Sequence, residues 1–239
     1  MPIQSFSVIS YKTWLLLTAG PALFLLGIVG ASIFFSVREV PEAQIPGRIT
    51  AIVPHILFGV LVCLAALMTS FAPQVKVAWQ LPDLSKAVSD VIIGLLAGVL
   101  LAISYLYWLA PLLETLQRTV GDFVPPGAVL PTVSSSLGLF FIANVLLAPL
   151  VEETLYRGIA IPLFTAHLGV LWAVILTCVL FGLLHWAGGL WYMLLTGIVA
   201  GGAFAGLFYW RGGVLAPFAA HLALNLIEFI YVWRAHNQA

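Results

Sequence analysis

Residues 137–164 read LGLFFIANVLLAPLVEETLYRGIAIPLF. The run is 28 residues long and mostly apolar, yet Glu152, Glu153 and Arg157 stand in its second half, with Pro149 and Pro162 beside them. Crossing a bilayer takes about 20 apolar residues, so the run is long enough to span one as a helix. A charge at mid-bilayer costs about 2.5–3.5 kcal/mol on insertion scales, so charged side chains inside a span are functional candidates. This stretch therefore predicts both a membrane helix and a site carried on it.

The rest of the chain agrees. Of its 239 residues, 62% are hydrophobic and 8% are charged. An average soluble domain carries about 25% charged residues. A soluble globular protein and a disordered chain are both excluded. Nine Lys/Arg balance nine Asp/Glu. With no basic patch, nucleic acid is not an expected partner, whereas membrane lipid is. Cys63 and Cys178 lie inside apolar runs and read as small buried apolar side chains.

Apolar runs predict spans at Trp14–Phe35, Ala51–Ala72, Ala87–Ala110, Leu137–Phe164, Leu168–Trp186, Leu190–Trp210 and Val214–Trp233. The first is too long for a signal-peptide core and reads as a retained span. A linker, Pro111–Ser136, holds Glu114, Arg118, Asp122, a Val-Pro-Pro-Gly turn at 124–127 and a serine triplet at 134–136. The expected fold is an all-α, polytopic transmembrane helical bundle of about seven spans. Its expected parts are N-terminal helices and linker (1–136) and a catalytic helical core (137–239), forming one integrated membrane domain. Trp14, Trp79, Tyr105–Trp108, Trp186, Trp191–Tyr192, Tyr209–Trp210 and Tyr231–Trp233 fall at span ends, as an interfacial belt requires. Gly197-x3-Gly201 and Gly202-x3-Gly206 predict close helix approach. Lys12, Lys76, Lys86 and Arg211 on one side face Arg38, Arg48, Arg118 and Arg234 on the other, so charge bias sets no orientation.

Polar residues inside spans gather in the second half: Glu152, Glu153, Arg157, His185, His221, Asn225 and Glu228. Glu153 and Arg157 are four apart, which predicts an intrahelical ion pair. Glu152 points about 100° away from Glu153, leaving it as a plausible general base or acid. His221 and Asn225 share one stripe of the last span, and Glu228 extends it as a helix-packing or cavity-lining group. At about 1.5 Å per residue, Glu152, His185, His221 and Asn225 fall within about 12 Å of depth on three helices. His55, His167 and His236 lie near span ends and read as interfacial or solvated.

Three motifs occur in order: Glu-Glu-x3-Arg (152–157), Phe-x3-His (181–185) and His-x3-Asn (221–225). Together they resemble the CPBP (Abi) family of CAAX proteases and bacteriocin-processing enzymes, which includes the type II Ras-converting CAAX endopeptidase. Eight helices are usual in that family. The resemblance implies an intramembrane endopeptidase in which Glu152 and His185 activate water. His221 and Asn225 would stabilise the oxyanion, while Glu153 and Arg157 brace the site. It implies a protein or peptide substrate and no required cofactor, in the cell membrane of a prokaryote. A competing metalloprotease mechanism would use Glu152, His185 and His221 as a zinc set. Two other classes fit buried Glu, His and Arg: a transporter with an intramembrane relay, and a non-catalytic immunity or scaffold protein. A prenylated CAAX protein, a peptide pheromone, a bacteriocin leader and a C-terminal sorting helix are equally open as substrates.

Overall fold

The computed structural model describes residues 10–124 and 136–238, with side chains through Arg234. Among the described residues, seven long helices alternate in direction. They are α1 (Tyr11–Val37), α2 (Glu42–Ala78), α3 (Leu84–Thr119), α4 (Leu137–Leu168), α5 (Val170–Leu184), α6 (Leu190–Arg211) and α7 (Leu215–Gln238). Six are long and apolar enough to cross a membrane; α5 is shorter, at 15 residues. At 1.5 Å per residue it rises about 22 Å, less than the roughly 30 Å of a hydrocarbon core. The chain is an integral membrane protein with an all-α, polytopic bundle.

Local chemistry sets the helix ends. The Ser10 hydroxyl accepts from the Thr13 N–H at 3.3 Å, and the Asp83 carboxylate accepts from the Lys86 N–H at 3.0 Å. Gly169, with φ 80°, is the only residue between α4 and α5 and reverses the chain there. Such a backbone angle costs glycine no Cβ clash.

The expected linker is shorter than its sequence suggests. Pro111 reads as a helix end, but a wide π turn at Tyr105–Leu109 takes up the strain and α3 continues to Thr119. The Glu114–Arg118 pair supports that last stretch. Residues 125–127 of the expected turn and Ser134 and Ser135 of the triplet lie outside the described residues, as does the side chain of His236.

Helix approach is closest between α3 and α7. A Cβ on Gly94 would meet the Ala216 carbonyl oxygen at 2.3 Å, and one on Gly98 the Ala220 oxygen at 2.2 Å. Gly197 and Gly182 do the same for α6 and α5, with a Gly197 Cβ 2.7 Å from the Cys178 oxygen. In lipid, packing of this kind drives association, because lipid tails are as apolar as the side chains. The second predicted pair behaves differently: a Cβ on Gly202 or Gly206 would meet nothing within 4 Å.

The core runs through Leu16 and Leu17 of α1, Leu61 and Leu64 of α2, Tyr156 and Phe164 of α4, Phe181 of α5 and Phe204 of α6. Cys63 points outward rather than into this core, because it occupies the lipid-facing side of α2. His55 and His167 are exposed. The aromatic belt holds for Trp108, Trp210 and Trp233, which are exposed. Trp79 turns inward and donates to the Thr154 hydroxyl at 2.8 Å.

Candidate active site

The centre of α4 is wide. Residues Glu153–Ala160 form a π turn, and all eight are buried. The helix does not break at Arg157. Glu153 Oε1 accepts from Arg157 Nη1 at 3.0 Å, as the spacing predicts, with both side chains almost fully inside. A buried ion pair costs desolvation unless its remaining valences are met. Here Arg157 Nη2 donates to the Gly201 carbonyl at 3.0 Å, while Arg157 Nε and Glu153 Oε2 have no hydrogen-bond partner among the described residues. The guanidinium also lies 4.6 Å from the Phe181 ring centroid and 5.2 Å from that of Phe204. Both rings offer a negative face to the cation.

His221 of α7 reaches the same carboxylate, with Nδ1 2.9 Å from Glu153 Oε1. Its ring stacks on Phe204 at 4.8 Å and 24°. A carboxylate oxygen shared with a guanidinium can only accept, so the proton sits on Nδ1 and Nε2 is left available. His185 repeats the pattern. It ends α5, and its own N–H bonds the Gly182 oxygen at 2.8 Å, which leaves the Phe181 carbonyl to His185 Nδ1 at 2.8 Å. Its Nε2 is also available. Asn225 donates from Nδ2 to the Asn144 carbonyl at 2.7 Å, which orients the amide and leaves its second N–H.

The acceptors have a common origin. Asn144 lies in the π turn Phe141–Leu147, Gly201 in the π turn Thr196–Gly201, and Phe181 in the last turn of α5. The i→i+4 ladder is interrupted at such places, and polar side chains take up the carbonyls that it releases.

A small cavity of about 50 Å³ opens among α3, α5, α6 and α7. His185, His221 and Asn225 line it, as do Tyr105, Tyr192 and Glu228. Glu152, Glu153 and Arg157 are not among its lining residues. Glu152 is 3% exposed and its Oε2 has no hydrogen-bond partner. The polar residues thus form two joined sets. Hydrogen bonds unite Glu153, Arg157 and His221, the cavity unites His185, His221 and Asn225, and Glu152 adjoins Glu153 in the chain as a buried carboxylate that forms no ion pair among the described residues.

Among the described residues, no three His, Cys, Asp or Glu side chains stand together as a metal-ligand set. Glu152, His185 and His221 are accordingly not brought together as a three-ligand zinc set.

Sequence reading missed several contributors. Phe204 reads as core because it is an aromatic in an apolar span. Asn144 of α4 went unremarked, and it contributes only a backbone oxygen. Tyr105 and Tyr192 read as belt residues but face the cavity. Gly94-x3-Gly98, opposite Ala216, Ala219, Ala220 and Ala223, was a legible packing signal.

A second anchor lies outside the spans. Asp122 accepts from the Leu190 N–H at 2.8 Å and the Trp191 N–H at 3.3 Å, capping α6 from the end of α3. Gly189, at φ 103°, brings the backbone so near that a Cβ there would lie 2.5 Å from Asp122 Oδ2. Burial pushes the Asp122 carboxyl up, but the N–H groups of Leu190, Trp191 and Phe123 and the Gln117 amide outweigh it and hold it below the usual carboxylate range.

The fold and site define an integral membrane helical bundle with a buried Glu-Arg-His network joined through His221 to a small cavity. Residues 134–227 match the family model described as type II CAAX prenyl endopeptidase, Rce1-like, a match consistent with the CAAX protease family. The matched stretch contains Glu152, Glu153, Arg157, His185, His221 and Asn225, and it supports an intramembrane protease activity in general. No curated protein and no solved structure gives a significant match to the chain.

Proposed function

We propose that the protein is an intramembrane endopeptidase that hydrolyses a peptide bond with a carboxylate-activated water. The observation that carries this reading is a buried Glu152, with Oε2 unpartnered, next to the Glu153 that bonds His221, the histidine that shares a cavity with His185 and Asn225. Peptide hydrolysis needs a base for water and donors for the tetrahedral oxyanion. Glu152 and His185 Nε2 take the water proton as its oxygen bonds to the scissile carbonyl carbon. The oxyanion accepts from the free N–H of Asn225 and from His221, which donates at Nε2 when it carries two protons. Glu153 accepts at His221 Nδ1 and holds the ring with Nε2 available. The C–N bond then breaks, and the proton held by Glu152 and His185 passes to the leaving nitrogen. Arg157 holds the Glu153 carboxylate in place.

No metal or cofactor enters this proposal. Residues 137–239 would carry the chemistry, while 1–136 complete one integrated membrane domain; the tight α3–α7 contact supports that unity. The substrate would be a membrane-associated or C-terminally processed protein or peptide, entering from the bilayer or its interface. The resemblance to bacteriocin-processing enzymes favours the cell membrane of a prokaryote.

The test is cleavage of a peptide library by the purified chain beside Glu152→Gln. Loss of cleavage in a variant that melts like wild type supports the proposal. Undiminished cleavage by Glu152→Gln removes Glu152 from the mechanism.

A further inference from the structure

Five acidic side chains lie within α3, α4 and α7: Asp90, Glu114, Glu152, Glu153 and Glu228. Three have cationic or histidine partners. Asp90 is held by Lys86 and Arg211, each at 2.6 Å. Glu114 pairs with Arg118, and Glu153 with Arg157 and His221. Among the described residues, neither Glu152 nor Glu228 forms an ion pair. Glu152 has a role in the proposed chemistry, and Glu228 has none.

Glu228 nevertheless faces the site, lining the same cavity as His185, His221 and Asn225. Two tyrosines from other helices line it as well. Tyr105 of α3 and Tyr192 of α6 meet edge to face, 6.4 Å apart at 76°, and Tyr192 lies 6.0 Å from His185. Neither histidine of the cavity bonds Glu228: one Nδ1 is spent on Phe181 and the other on Glu153. Glu228 is half-buried and forms no ion pair among the described residues, and desolvating an unpaired carboxylate is costly. A carboxylate beside two electron-rich rings has the composition of a cation-binding pocket.

We propose that Glu228, with Tyr105 and Tyr192, forms a subsite for a cationic group of the substrate peptide, either a lysine or arginine side chain or a free α-ammonium. The proposal rests on the proteolytic reading for its location. On α7, Glu228 stands about 5 Å along the axis from Asn225 and about 10 Å from His221. An extended peptide advances about 3.3 Å per residue. The cation therefore lies one to three residues from the bond that the site cleaves. The subsite would set the register of an otherwise apolar peptide, whose side chains offer little to distinguish one position from the next.

The experiment uses the full chain in detergent with a pool of apolar hexapeptides carrying lysine or norleucine at each position in turn. Each peptide is made with a free and with an acetylated N-terminus. In the binding arm, the immobilised Glu152→Gln chain is expected to retain lysine or free-amine peptides at least 10-fold over their neutral counterparts. The two peptide series separate side chain from terminus. Adding Glu228→Gln brings that ratio to near one, Glu228→Asp keeps part of it, and Tyr192→Leu lowers it without touching the carboxylate. A ratio near one with Glu228 present, or a ratio that Glu228→Gln does not move, overturns the subsite. In the second arm the wild-type chain is tested for cleavage of the same pool. Retention with cation preference but no cleavage sinks the protease and leaves the subsite standing. Cleavage with no cation preference does the reverse.

Discussion

His221 of α7 and Glu153 of α4 hydrogen bond at 2.9 Å, Nδ1 to Oε1, across 68 positions of sequence. The same oxygen accepts from Arg157 at 3.0 Å. One carboxylate thus fixes the tautomer of a histidine and neutralises a buried guanidinium. The neighbouring Glu152 makes no such commitments, and adjacent glutamates are expected to fail in different ways.

Glu153→Gln leaves Arg157 buried without its counter-charge. Breaking a buried pair from one side costs about 3–5 kcal/mol. A large fall in melting temperature is expected together with lost activity. Glu152→Gln removes only the proposed base, so activity should fall by about 10²–10⁴-fold with melting unchanged. Thermal unfolding in detergent, run beside a cleavage assay, checks both. Equal melting of the two variants contradicts this division of labour.

Cleavage is expected to survive a chelator such as 1,10-phenanthroline, because the proposed chemistry runs through Glu152, His185, His221 and Asn225 alone. Loss of activity with the chelator, and recovery on adding zinc, would establish a metal route in its place.

Gly98→Ala places a methyl 2.2 Å from the Ala220 carbonyl oxygen, beside His221. Overpacking of this kind costs about 1–3 kcal/mol, and the displacement of α7 should lower activity as well. Gly206→Ala meets nothing within 4 Å. There the gain in helix preference, about 0.5–1 kcal/mol, should leave stability equal or slightly higher. Melting curves of the two variants read the difference directly.

Asp122→Ala removes the cap that ties the end of α3 to the start of α6, at a cost of about 1 kcal/mol. The folded-state carboxyl titrates below its unfolded value. The stabilisation is therefore full above an unfolded pKa of about 3.9. It is lost as pH falls through the lower folded value. The melting difference between wild type and Asp122→Ala should be constant near neutrality and close in strong acid. A difference that instead grows on acidification contradicts the cap.

Much of the site was legible because charge in an apolar span is conspicuous. Glu152, Glu153, Arg157, His185, His221 and Asn225 stood out on that ground, and four-residue spacing anticipated the Glu153–Arg157 pair. The partners did not stand out. Phe204 and Phe181 cradle the guanidinium but look like any other apolar residues of a span. The oxygens of Asn144, Gly201 and Phe181 belong to the backbone and have no sequence signature. Pro111 was misleading, because a proline signals a helix end unless a wide turn absorbs it, and the turn at Tyr105–Leu109 does.

The sequence by itself determined that the chain is a helical membrane protein, where its spans lie, and which side chains are too costly to sit in lipid without purpose. Those properties follow from composition and from spacing along one chain. Only the tertiary structure decided which oxygen His221 meets, that Glu152 stays uncommitted, and that Glu228 faces the cavity beside Tyr105 and Tyr192. Each of these depends on the rotation of one helix against another. Side-chain packing, glycine contacts and π turns set that rotation, and none of them has a fixed period in sequence.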